Sequence, residues 1–118
     1  MTITDPGTTL PFSAIAADPT DIATNGPKAD AYQGMLLVLS SPTITDATPD
    51  GTSQFYEFVV NGACRVDDTL YVHYGQPATP YPPTGFTNGT QFQSLFGVLG
   101  YSFSNSKLWP RDAVDIVR

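Results

Sequence analysis

The sequence predicts an all-β fold, and three observations carry that prediction. Only 14% of the 118 residues are charged, whereas glycine, proline and aromatic residues are plentiful, which is typical of turn-rich β proteins. Segments rich in branched and aromatic residues alternate with turn signals. No stretch keeps an uninterrupted helical period, so a helical bundle is excluded.

The length of the chain fits a single domain preceded by an arm. Residues 1–20 contain closely spaced prolines, which interrupt helices, and we expect an extended N-terminal arm there. Residues 21–118 are then one β domain. Short apolar patches in the arm favour packing on its own domain or strand addition to a neighbouring molecule.

Three segments are predicted as strands in the first two thirds of the domain. Ala31–Thr45 is the first long one, with bends at Gly34 and Pro42. Phe55–Val60 is its hairpin partner, and the Asn61-Gly62 pair that follows is a favoured hairpin turn. Arg65–Tyr74 alternates apolar and polar residues, which predicts a third strand with one buried face.

The last third of the chain predicts a strand pair after a stiff connection. Gly75–Gly89 holds four prolines, so it is not a helix, and we expect its aromatic residues to plug one end of the fold. Gln91–Phe103 reads as one long strand whose glycines permit bending. Ser104–Ser106 form a turn, Lys107–Trp109 return, and Pro110 stops the return strand.

Three strands, a long crossover and a strand pair follow the order of an OB-like five-stranded Greek-key barrel with a proline-rich crossover loop. Five blocks resemble an OB-like module of secreted bacterial multidomain proteins, where it lies beside extracellular nuclease and lamin-tail-type domains: Asp21–Thr24, Ala31–Val38, Arg65–Tyr71, Gly97–Phe103 and Lys107–Arg111. The resemblance implies an extracellular or cell-surface location and a non-catalytic accessory role. It supplies no catalytic residues.

Charge and hydropathy narrow the set of partners. The net charge is −6, and the acidic excess lies in the first half of the chain, which repels phosphate, so a nucleic-acid partner is disfavoured. The longest apolar run, Met35–Leu39, is too short for a membrane span, and no membrane insertion is expected. Cys64 is the only cysteine, and a buried thiol is its simplest interpretation.

One loop matches the spacing of a calcium-binding loop. Asp46, Thr48 and Asp50 stand at alternate positions before a glycine, and Glu57 follows at the distance of the last ligand. The flanking segments read as strands and not helices, so an ordinary Asp/Gly turn is the preferred interpretation. No cofactor is expected, with calcium as the alternative.

Aromatic and basic residues supply a candidate ligand surface. Tyr71, Tyr81 and Trp109 are candidates for stacking on sugars or bases, with Arg111 beside them. Tyr101 and Phe103 could form the stacking platform together with Trp109, as OB surfaces do. The alternative for Trp109 is core packing, since large aromatics are mostly buried. His73 and Asp68 are interpreted as structural, because no nucleophile and base are assembled around them.

These observations favour a non-enzymatic module with a structural or protein-interaction role. In one version the N-terminal arm adds a strand to another copy and the chain self-assembles into a homo-oligomer. The alternative is a ligand-binding accessory domain for oligosaccharide, with single-stranded nucleic acid ranked below it because of the acidity.

Overall fold

The computed structural model describes residues 14–51 and 55–118. Eight short strands and two single-turn α-helices make up most of the regular structure, with two short 3-10 turns at Val72–Gly75 and Ala113–Asp115. The elements are β1 (Ile15–Ala16), α1 (Pro19–Ile22), α2 (Ala29–Tyr32), β2 (Leu36–Ser40), β3 (Ile44–Asp46), β4 (Phe58–Val60), β5 (Cys64–Val66), β6 (Ser94–Ser102), β7 (Asn105–Trp109) and β8 (Ile116–Val117).

The strands form one open, mixed sheet, which confirms the all-β prediction. Their order is β1-β2-β6-β7-β5-β4-β3, and β8 pairs with β6 as well. Neighbours are antiparallel except for β1 with β2 and β5 with β7, which are parallel. The long β6 is the centre of the sheet because it pairs with β2, β7 and β8.

One bent segment supplies both β2 and β3. β2 pairs with β6, β3 pairs with β4, and between them Thr43 makes a bridge to Gln91. Backbone hydrogen bonds continue this antiparallel pairing, with Ser41 N–H donating to Gln93 O at 2.8 Å and Phe92 N–H donating to Pro42 O at 3.0 Å. Ser41 has a positive φ of 50°, which marks the bend.

The core lies against the inner faces of the strands and is sealed at one end by aromatic rings. Alternate residues of β2, β4, β5 and much of β6 are buried, as the two-residue period of a strand requires, whereas Ser106, Lys107 and Leu108 of β7 are all buried. Phe86, from the proline-rich connection, is buried and stacks on Tyr74 with ring centroids 4.8 Å apart. The rings of Phe58, Phe86 and Phe92 pack against one another. The proline-rich connection therefore contributes a buried side chain to the core and does not only link two strands.

The predicted strand Ala31–Thr45 is wrong in its first third. Residues 29–32 form α2, and β2 begins only at Leu36. Gly34 adopts a φ of +83° and its N–H donates to Leu99 O at 2.7 Å, so the chain leaves the helix and joins the sheet at that glycine. Pro19 occupies the first turn of α1, where a missing N–H costs nothing.

The predicted third strand ends much earlier than expected. Regular pairing stops at Val66, and the side chains expected on one buried face diverge, leaving Leu70 and Val72 exposed. The Asp68 carboxylate accepts the His73 N–H at 2.7 Å and closes a tight loop. His73 and Tyr74 both have φ of 52°, a left-handed conformation that no strand contains. The hydrogen bond to the Asp68 side chain therefore stabilises a loop in place of the strand that the alternating residues predicted.

The hairpin signals are confirmed. Asn61 and Gly62 have φ of 53° and 64° and connect β4 to β5. The long predicted strand appears as β6 and its return as β7, although the turn lies at Phe103 and Ser104, earlier than predicted. Within the predicted arm, residues 1–13 lie outside the described residues, and β1 pairs in parallel with β2 of its own sheet.

Candidate functional site

Three charged side chains lie side by side on the outer face of the sheet. Because Phe58, Cys64, Val66 and Leu108 point into the core, the alternate residues of the same strands point outward. Arg65 on β5 is directly opposite Lys107 on β7. Glu57 immediately precedes β4 and contacts both of them.

The three side chains form a linked set of ion pairs. Lys107 Nζ donates to Glu57 Oε2 at 2.7 Å, and Arg65 Nη1 donates to Glu57 Oε1 at 2.9 Å. Arg65 Nη1 also lies 3.2 Å from Asp50 Oδ1, and Lys107 Nζ lies 3.8 Å from Asp67 Oδ2. Three carboxylates against two cations leave this cluster with one net negative charge.

Burial makes the pairing obligatory for the lysine. The Lys107 side chain is 2% exposed, although it lies on the outer face of the sheet. An unpaired ammonium at that depth is very unfavourable, so Glu57 is required as its partner. Burial lowers the pKa of the Arg65 guanidinium. The hydrogen bonds and charges of Glu57 and Asp50 outweigh this effect, so that the pKa is raised above its ordinary value. Burial raises the pKa of the Asp67 carboxyl, with Thr69 and Lys107 acting in the opposite direction.

Two exposed phenylalanines stand over the charged cluster. Phe103, in the turn between β6 and β7, is 90% exposed, and Phe55, before β4, is 60% exposed. The ring centroid of Phe103 lies 5.2 Å from Lys107 Nζ, within the range of a cation–π contact. These residues line a cavity of about 200 Å³, here called the aromatic cleft: Asp50, Phe55, Glu57, Arg65, Phe103 and Lys107.

The aromatic cleft combines polar and apolar surface. Its charged atoms offer hydrogen-bond donors and acceptors, and its rings offer apolar faces. A serine, cysteine or histidine is absent from the described lining, so a nucleophile with its base is not assembled there. Within the described residues, groups of three or more histidine, cysteine or acidic side chains positioned to hold a metal ion are also absent.

Trp109 lies on the same outer face of the sheet as Lys107, but its ring packs against the β6–β7 hairpin. Its ring lies over Gly100, where an added Cβ would approach Cη2 and Cζ2 to 2.5 Å. The tryptophan is partly buried, and its Nε1–H finds no acceptor among the described residues. Its packing on Gly100 is that expected for a structural aromatic.

The other residues predicted to bind a ligand occupy separate surroundings. Tyr81 packs edge-on against Tyr56 with ring centroids 5.1 Å apart. Arg111 donates through Nε and Nη2 to the buried carboxylate of Asp115, each at 2.8 Å. Tyr71 lines a different cavity, near the C-terminal residue Arg118. The structure therefore does not gather Tyr71, Tyr81, Trp109 and Arg111 into the aromatic cleft.

The residues of the calcium-loop pattern are engaged by protein groups. Asp46 Oδ1 accepts the Thr48 N–H at 3.0 Å, which closes a local turn. Asp50 and Glu57 both contact Arg65. Two of the four positions thus belong to the ion-pair cluster, and the arrangement matches the preferred interpretation of an ordinary turn better than a cation site.

Most residues of the aromatic cleft were not candidates at the level of the sequence. Phe103 was a candidate for stacking, whereas Phe55 and Lys107 carry no motif, and the proximity of these residues depends on pairing across three strands. One signal was available, since Lys107 begins a predicted return strand and is followed by Leu108 and Trp109. A lysine there needs a carboxylate partner on a neighbouring strand if its side chain is covered.

Comparisons of the chain with family models, curated proteins and solved structures find no match. In the part of the chain that the structure describes, helices are single turns, and none has the length and hydropathy of a membrane span.

Proposed function

We propose that the sheet is an OB-like five-stranded barrel. The bent segment of β2 and β3 counts as the first barrel strand, followed by β4, β5, β6 and β7. Support comes from the pairing order, in which the first strand neighbours both β4 and β6, and from the parallel pairing of β5 with β7. The hydrogen bonds at Ser41 and Phe92 join the two halves of that first strand to one partner. The order is that of an OB Greek key.

On this topology the aromatic cleft lies where OB barrels bind their ligands. Such barrels use the face of the second and third strands together with the loops after the first and fourth strands. Arg65 belongs to the third strand, Asp50 and Phe55 to the loop after the first, and Phe103 to the loop after the fourth. The position of the aromatic cleft and its exposed aromatic rings therefore both support ligand binding there.

The function proposed is a non-catalytic module that binds oligosaccharide in the aromatic cleft. The observation that carries it is the pair of exposed rings, Phe55 and Phe103, above a floor of fixed hydrogen-bonding groups. A pyranose ring presents an apolar C–H face that stacks on an aromatic ring and a rim of hydroxyls that suit carboxylate and guanidinium groups. Apolar walls with a few placed polar groups are typical of small-ligand sites.

The charges of the aromatic cleft make nucleic acid the weaker ligand. Binding to a phosphate backbone needs cations that are free to neutralise it. Here Arg65 and Lys107 are already paired with Glu57 and Asp50, and these two carboxylates balance the two cations of the described lining. An extracellular or cell-surface location is proposed with this function, on the resemblance of the sequence blocks.

Titration calorimetry tests this proposal. The intact chain is titrated with cello-, xylo-, chito- and malto-oligosaccharides, and with an oligothymidylate for comparison. We expect binding to one of the sugar series, and Phe103→Ala and Phe55→Ala each weaken it by about tenfold or more, as for aromatic anchors of other binding sites. Both rings are exposed, so their removal leaves the fold intact.

Val72→Ala is the matched control, because Val72 is an exposed apolar residue of a loop outside the described lining of the aromatic cleft. The Val72→Ala variant is expected to bind the sugar with the same affinity as the unmodified chain. Absence of binding to all four sugar series, or phenylalanine variants that bind as well as the control, would reject the oligosaccharide proposal.

A second candidate is self-assembly or binding of another protein through β1. The observation that favours it is the position of β1 as the end strand of the described sheet, with Ile15 exposed. An end strand offers unpaired backbone groups to another strand. Light scattering of the intact chain and of a chain lacking residues 1–20 tests it, and an identical monomeric mass for both contradicts it.

A further inference from the structure

A second cavity lies behind the hairpin that carries Phe103. Its volume is about 400 Å³, and its lining includes Asn25, Asp30, Gln33, Tyr101 and Ser106. Tyr101 is 55% exposed, and Asn25, Asp30 and Gln33 are also exposed to solvent. The cavity thus combines one aromatic face with amide and carboxylate groups. This combination suits hydroxyl-rich ligands, as does that of the aromatic cleft.

The walls of this second cavity are fixed by hydrogen bonds. The Thr24 hydroxyl donates to Asn105 Oδ1 at 2.9 Å and accepts the Ser106 N–H at 3.1 Å, which ties the loop between α1 and α2 to β7. The loop itself is closed by Lys28 N–H donating to Asp21 O at 2.8 Å. A site with fixed walls loses less conformational entropy when a ligand binds.

The two cavities share one thin wall. Asn105 lines the aromatic cleft, and the next residue, Ser106, lines the second cavity on the opposite face of β7. Tyr101 pairs with Ser106 across the hairpin, and the turn at Phe103 joins the two strands. A ligand leaving the aromatic cleft at Phe103 therefore meets Tyr101 after it crosses the tip of the hairpin.

From this juxtaposition we infer that the binding surface continues over the β6–β7 turn, and that the second cavity is a further subsite for the same ligand. The inference rests on the proposed function and makes it more specific. The ligand is an oligosaccharide of several units that spans both faces of the hairpin. A monosaccharide or disaccharide fills only one cavity.

The test is a chain-length series on the intact protein. Cello-, xylo- and chito-oligosaccharides, from disaccharide to hexasaccharide, are titrated by calorimetry against the unmodified chain and the variants Tyr101→Ala, Tyr101→Phe and Gln33→Ala. In the series that binds, we expect the hexasaccharide to bind about tenfold or more tightly than the disaccharide. Tyr101→Ala removes most of that gain, Gln33→Ala removes part of it, and Tyr101→Phe keeps it because the ring is retained.

The disaccharide separates this inference from the proposed function. Its affinity is expected to fall with Phe103→Ala and to stay unchanged with Tyr101→Ala. If affinity does not depend on length, or Tyr101→Ala leaves the hexasaccharide unaffected while Phe103→Ala weakens it, the second subsite is rejected and the aromatic cleft stands. If none of these three series binds, the second subsite is rejected, and if the malto-oligosaccharides do not bind either, the proposed function is rejected with it.

Discussion

Lys107 shows how far a single residue can be interpreted from the sequence. Its place at the start of a predicted strand was visible, but its partner was not, because Glu57 lies fifty positions away in the chain. The spacing of Asp46, Thr48, Asp50 and Glu57 suggested a local cation site, whereas Glu57 serves a residue of another strand. Local spacing predicts turns better than it predicts ion pairs, because ion pairs are set by strand register.

Replacing Lys107 should show that the buried ion pair is required for stability. Lys107→Met leaves Glu57 buried with Arg65 as its remaining partner, and we expect the free energy of unfolding to fall by about 3 kcal/mol. Urea denaturation followed by circular dichroism measures the loss.

Lys28→Met is the matched control for that substitution. Lys28 lies 3.8 Å from Asp21 on the surface, where both side chains are well exposed. Such a pair contributes little, and the expected change is within about 0.5 kcal/mol. Equal losses for the two methionine variants would show that the buried ion pair contributes no more to stability than the surface pair.

At the scale of elements, the β6–β7 hairpin was the most predictable part of the chain. Its strands are long, rich in branched and aromatic residues, and joined by a short turn, so local preference and tertiary pairing agree. The third strand was mispredicted because Asp68 gives the backbone an alternative hydrogen bond that alternation does not reveal. The bend of α2 into β2 depends on Gly34 bonding to Leu99, which is a tertiary contact.

The two glycines of the hairpin should respond differently to an added methyl group. At Gly100 the new Cβ meets the Trp109 ring, whereas at Gly97 it meets the Trp109 backbone at 2.8 Å. We expect both alanine variants to lower the free energy of unfolding by about 1–3 kcal/mol, as overpacking does. In a Trp109→Leu background the loss at Gly100 largely disappears and the loss at Gly97 persists.

Urea denaturation of the two single variants in both backgrounds completes the double-mutant cycle. The coupling between positions 100 and 109 should reach about 1 kcal/mol or more, within the range found for residues in contact. Additive losses at Gly100 and Trp109 would mean that the tryptophan ring does not rest on the glycine.

At the scale of the whole molecule, the core was predicted better than the site. The all-β class follows from composition and alternation, because both reflect burial on one face of each strand. The aromatic cleft draws on the loop before β4, on β5 and on the β6–β7 hairpin, and its position depends on which strands become neighbours. No local pattern contains that information.

Cys64 should report on opening of the entire sheet. The thiol is fully buried on β5, and burial raises its pKa to about 12. We expect iodoacetamide to modify the native chain at least about a thousandfold more slowly than the urea-unfolded chain, because the thiolate is suppressed and reached only after unfolding. Mass spectrometry of timed samples measures both rates. Rapid labelling of the native chain at neutral pH would instead indicate local opening of β5.

The bent segment of β2 and β3 also sets the order of events as the chain folds. It must meet β4, which follows it closely, and β6, which comes only after β5 and the entire proline-rich connection. Pairing with β4 closes a short loop and pairing with β6 closes a long one, so the second pairing costs more conformational entropy. We therefore expect the β3–β4–β5 meander to form before β6 arrives to complete the sheet.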